Sequence, residues 1–75
     1  MKNLSKIEKF QIFCLESYRQ EKMLSGLEAF NEFKQLKIFD YLSEGYDVLH
    51  TQGRDYLMAD IYDFISQRNL MKMIN

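Results

Sequence analysis

The chain has 75 residues, 47% of them hydrophobic, with six Phe, five Tyr, no Pro, one Cys, one His and a formal net charge of −1. That length holds one small domain, which buries about 60% of its unfolded surface, and the content of large side chains excludes a disordered segment. A lone cysteine excludes an internal disulfide, no apolar run reaches the roughly 20 residues that span a bilayer, and the charge-interrupted start MKNLSKIEKF excludes a signal peptide. A soluble, cytoplasmic protein without membrane association is therefore expected.

The first helix is predicted over residues 5–21. SKIE matches Ser-x-x-Glu, the capping box in which Ser5 accepts from the third helical N–H and Glu8 bonds back. Ile7, Phe10, Cys14 and Tyr18 follow helical spacing and form one apolar stripe, which Phe13 and Leu15 widen. Ile12 falls about 140° from Ile7 at about 100° per residue, which gives this helix a second apolar contact to make.

A second box, SGLE, with Ser25 as cap and Glu28 as its partner, starts a helix over residues 26–37. Leu24 is placed to staple against Ala29. Leu27, Ala29, Phe30, Phe33 and Leu36 are read as one apolar half, and Asn31, Glu32, Lys34 and Gln35 as the polar one.

A third helix over residues 38–52 aligns Phe39, Leu42, Tyr46 and Leu49, with Gly45 in the same stripe. Glycine inside a helix costs about 1 kcal/mol relative to alanine, and close approach of another backbone would explain it. Gly53 is read as the left-handed residue closing this helix. His50 then lies in the last turn, where an imidazolium suits the helix dipole and Tyr46 is one turn away.

The fourth helix, over residues 55–68, stacks Leu57, Ile61, Phe64 and Ile65, with Met58 beside them and Asp60 and Asp63 facing outward. DYLMADI also has some β-propensity, so an extended piece is the alternative there. An apolar tail over residues 69–75, with Met71, Met73 and Ile74, ends the chain. The fold expected is all-α: a compact single-domain bundle of about four short helices spanning residues 1–75.

Chemistry-bearing residues are sparse. Asp47 and His50, three apart, could touch as a base and its orienting acid, but no nucleophile or phosphate-binding loop accompanies them. Cys14 lies inside an apolar stripe and reads as a packing residue, and one His with one Cys cannot build a structural zinc site. Asp60 and Asp63 read as a solvated face before they read as a metal or acid/base pair. No catalytic residue, metal ligand or cofactor site is expected.

Charge argues against nucleic acid. Residues 1–37 carry seven Lys/Arg against five Asp/Glu, and residues 38–75 carry three against six. The third helix, which would have to read DNA if 25–52 were a helix-turn-helix, carries Asp40, Glu44 and Asp47 and no Lys or Arg. The aromatics fall at helical spacing, as core residues do, rather than as stacking platforms.

The segments FCLESY, SGLEAFNEF, FDYLSEGYDVLHTQG and DIYDFI, from about Phe10 to Ile65, resemble a family of short bacterial proteins of unknown function. QLKIFDYL departs from it, since a glycine is expected near Leu36 or Lys37. The resemblance implies an antitoxin-like protein encoded beside an ADP-ribosyltransferase-like neighbour, and it brings no catalytic residues. The expected function is thus a non-enzymatic protein–protein interaction module. Ile12, Asp40, Glu44, Asp47, Asp60, Asp63, Met71, Met73 and Ile74 are its candidate contacts, and Ser5, Glu8, Ser25, Glu28, Gly45, His50 and Gly53 are structural. The alternative is a homodimer whose seam is Ile12 and the tail.

Overall fold

Five helices follow one another in a computed structural model that describes the backbone of residues 4–74 and the side chains of residues 4–69. They are α1 (Lys6–Lys22), α2 (Gly26–Gln35), α3 (Ile38–Glu44), α4 (Tyr46–Leu49) and α5 (Arg54–Ile74). No strand occurs among the described residues, and DYLMADI lies in α5. The all-α expectation holds.

Both capping boxes form. The Glu8 N–H donates to Ser5 Oγ at 3.1 Å while the Ser5 N–H donates to Glu8 Oε1 at 2.9 Å, and Ser25 and Glu28 repeat the pair at 3.1 and 2.9 Å. The serine backbone N–H donated to each carboxylate foremost, and then the nearby serine side chain, hold both glutamates below the ordinary carboxylate range.

Among the described residues, the two left-handed ones are not glycines. α1 closes on Met23 at φ 56, with the Leu24 N–H donating to the Arg19 carbonyl at 3.0 Å, the wide bond of a Schellman ending. Between α2 and α3 the turn that lacked its glycine is made by Lys37 at φ 59. Gly53, expected to be left-handed, has no positive φ. It stands before α5 instead, its carbonyl accepting from the Leu57 N–H at 3.0 Å.

The predicted helix over 38–52 is also corrected. It breaks at Gly45 (φ −94, ψ 10) into α3 and the single turn α4, and residues 50–53 form the turn to α5. The Val48 and Leu49 N–H groups both converge on the Gly45 carbonyl, at 3.1 and 2.8 Å, which tightens the chain there. Gly45 does not admit a neighbouring backbone as expected. A Cβ at that position would stand 2.8 Å from Leu49 Cδ1, so the missing side chain makes room for Leu49.

The core draws on every helix. Phe10, Cys14 and Tyr18 come from α1, Ala29 and Phe33 from α2, Ile38 and Leu42 from α3, Leu49 from α4, and Leu57, Met58 and Ile61 from α5. α1 is central, packing against α2, α3 and α5. Three expectations of burial fail, one of them at Phe30 of α2, which is 44% exposed. Leu27 is 70% exposed, because it falls about 160° from Ala29 on a ten-residue helix that buries only Ala29 and Phe33. Phe13, on the flank of the α1 stripe, is 47% exposed beside Ile12 at 45%.

Two substitutions test this account of the turns. Met23 is 91% exposed, so Met23→Gly removes left-handed strain and little packing; thermal melting should show a gain of about 1 kcal/mol, or about 4–8 °C. Gly45→Ala should cost about 1–2 kcal/mol in urea unfolding by displacing Leu49, and that cost should vanish in a Leu49→Ala background.

Candidate functional site

Helical spacing sets two faces opposite each other. On α3, Lys37 at its cap, Asp40, Tyr41 and Glu44 recur every three or four residues; on α5, Tyr56, Ala59, Asp60, Asp63, Phe64 and Arg68 do the same. Tyr41 joins the two helices. Its ring stacks on Phe64 at a centroid distance of 4.3 Å and an interplanar angle of 22°, and its hydroxyl donates to Asp60 Oδ2 at 2.5 Å.

A hollow opens on either side of that contact. The first, about 260 Å³, is lined by Lys37, Asp40, Tyr41, Glu44, Phe64 and Arg68. The second, about 330 Å³, is lined by Tyr56, Ala59, Asp60 and Asp63. The Arg68 guanidinium lies over the Phe64 ring at 5.0 Å from its centroid, a cation–π placement. The ion pairs found among the described residues are Arg19–Glu16 and Arg54–Glu21, so none joins Lys37, Asp40, Glu44 or Arg68.

Of the acidic residues singled out in the sequence, Asp40 and Glu44 thus share one hollow and Asp60 and Asp63 the other. Asp60 does not face fully outward as expected, since it is half-buried under the Tyr41 hydroxyl. Asp47 is exposed on α4 and lines neither hollow. Ile12 is exposed on α1. The side chains of Met71, Met73 and Ile74 lie outside the described residues, although the helix of α5 runs to Ile74. Lys37, Tyr41, Tyr56, Phe64 and Arg68 are not among the candidate contacts that the sequence suggests; the i,i+4 pair of Phe64 and Arg68 is the one local signal for them.

His50 caps α4. Its ring stacks on Tyr46 at 4.3 Å and 9°, and Nδ1 lies 2.5 Å from the Tyr46 carbonyl oxygen. The Cys14 side chain is fully buried, and burial pushes its thiol up to about 12, away from the reactive thiolate. Among the described residues no group of three His, Cys, Asp or Glu is placed to hold a metal ion, and no helix is long and apolar enough to cross a membrane.

Burial, the bond to Asp60 and the negative charge of Asp60 push the Tyr41 phenol up to about 12, with Tyr56 and Asp63 adding to it. An unfolded tyrosine ionises near pH ~10, so the folded state favours the protonated phenol. Its stabilising contribution is complete below that pH and is lost as pH rises towards the folded value. Denaturant unfolding followed across this alkaline range should show falling stability, and Tyr41→Phe should make the fall shallower.

The hollow and its aromatic wall lie wholly within the stretch that the chain shares with other proteins. Neither a curated protein nor a solved structure matches it. A family described as "Protein of unknown function (DUF3791)" matches residues 9–68, from early α1 to the arginine of the cleft and well over half of the chain. The chain therefore belongs to this family of proteins of unknown function.

Proposed function

We propose that the chain is a non-enzymatic interaction module that binds a protein partner through the face between α3 and α5. The observation that carries this is the first hollow: two cations and two carboxylates surround a stacked Tyr41–Phe64 pair, with no ion pair among the four charges. Aromatic and arginine side chains are enriched at interface centres, and the charges around this ring pair suit a polar rim where a partner completes the pairing. The antitoxin-like role implied by the family resemblance fits such a face, with an ADP-ribosyltransferase-like neighbour as the partner and a bacterial cytoplasm as the setting.

A second reading, self-association, is favoured by a different observation. α5 remains helical through an apolar sequence, Leu70 to Ile74, beyond the last core residue Ile61, and Ile12 offers a further exposed apolar contact on α1.

Light scattering after size exclusion separates the two, with the protein alone and co-expressed with the product of the adjacent gene. We expect a stable heteromeric complex. Combining Asp40→Asn, Glu44→Gln and Asp63→Asn should weaken it about tenfold, mainly through slower association and with reduced salt dependence. These three residues are exposed, and Asp60 keeps its bond to Tyr41. A homodimer that ignores the neighbour would replace the interaction reading with the second one.

A further inference from the structure

Resting on that interaction reading, we infer that the first hollow is an arginine receptor: a guanidinium presented by the partner enters between Asp40 and Glu44 and takes the place of Arg68 over the Phe64 ring. The chain's own arginine shows which chemistry the wall accepts. The guanidinium of Arg68 lies over Phe64 at 5.0 Å, and Tyr41 stacks on the same ring at 4.3 Å. Yet Arg68 uses only part of the site. Asp40 and Glu44 line the same hollow, and Arg68 forms no ion pair with either.

An arginine arriving from solvent is not tied to the backbone of α5 and can use both halves. Asp40 and Glu44 lie one turn apart on one face of α3, a spacing of about 5–6 Å between Cβ atoms. A planar guanidinium can donate along its edges to such carboxylates while its face rests on the aromatic ring. Lysine, a compact point charge, can satisfy the carboxylates or the ring but has no plane to offer both. Lys37, also at the hollow, offsets part of the acidic charge. Selection then comes from the planar shape of the ligand more than from its sign. Arg68 acts as an internal placeholder, covering the aromatic face until a better-placed arginine displaces it.

The proposal is tested without the partner, by amide NMR titration of the intact chain with the blocked tripeptide Gly-Arg-Gly and, in parallel, Gly-Lys-Gly. The expected result is saturable shifts centred on Tyr41, Phe64 and Asp40 with the arginine peptide and at least fivefold weaker binding of the lysine peptide. Arg68→Ala should tighten the arginine peptide by about 2–5-fold, because it removes the competitor. Asp40→Asn with Glu44→Gln, at two exposed positions, should weaken it by a similar factor or more. Equal responses to both peptides, or an Arg68→Ala variant with unchanged affinity, would overturn the assignment. If the heteromeric complex forms and the arginine response is absent, the interaction reading stands and the arginine receptor falls.

Discussion

Tyr18 holds the arrangement together. Its ring, 1% exposed, sits 5.3 Å from Phe33 of α2 and 5.9 Å from Tyr62 of α5, so a single side chain of α1 sets the distance to two other helices. Its hydroxyl is satisfied by donating to Glu32 at 2.9 Å, which removes the cost of burying a polar group in the core. Desolvation and the Glu32 carboxylate both favour the neutral phenol and raise its ionisation far above the ordinary value. Beside it, Arg54 fixes the start of α5: it pairs with Glu21 at 3.3 Å, while the Tyr62 hydroxyl donates to the same glutamate at 3.0 Å. These contacts fix the position of α5 on α1, and with it where Phe64 and Arg68 come to lie.

What the sequence discloses depends on how local the cause is. The capping boxes and the core stripes were legible because each is set within three or four residues: Ser5 reaches Glu8, and Phe10, Cys14 and Tyr18 lie one above another on one helix. The turns were not. Glycine is the usual left-handed residue, but Met23 and Lys37 adopt that conformation because the helix ends around them satisfy the carbonyls, and the steric cost of about 1–2 kcal/mol at each is carried by the tertiary packing. The break at Gly45 was hidden for a related reason. A glycine in an apolar stripe reads as helix with a close neighbour, and that the neighbour is Leu49 of the next turn emerges only when both are placed.

The same break explains the uneven legibility of the candidate site. In one continuous helix Asp40, Glu44 and Asp47 would form a single acidic stripe at i, i+4 and i+7. Because α3 stops at Glu44, that register ends there, and Asp47 belongs to neither hollow. The carboxylates were visible as a charge excess in the second half of the chain. Their aromatic and cationic companions were not, because Phe64 reads as a member of an apolar stripe, Tyr41 belongs to none, and only the contact of α3 with α5 makes the two rings one wall of a cleft. An aromatic residue at helical spacing is ambiguous between core and surface until its neighbours across the interface are known.

One helix carries both the core and the cleft. Along α5 the buried residues Leu57 and Ile61 lead, one turn at a time, into half-buried Phe64 and Ile65 and then exposed Arg68. The ladder that anchors the helix at one end presents the site at the other. In a domain this small there is no separate scaffold to insulate the two, since close packing transmits a displacement in the core along a rigid helix. A cavity opened at Ile61 would move Phe64 relative to Tyr41, whereas a change at Asp40 or Glu44, on exposed positions of α3, alters charge without touching the core. The charge of the cleft can therefore be altered from the α3 side at little cost to the fold, while the α5 side is bound to the packing around Tyr18 and to the Arg54–Glu21 pair.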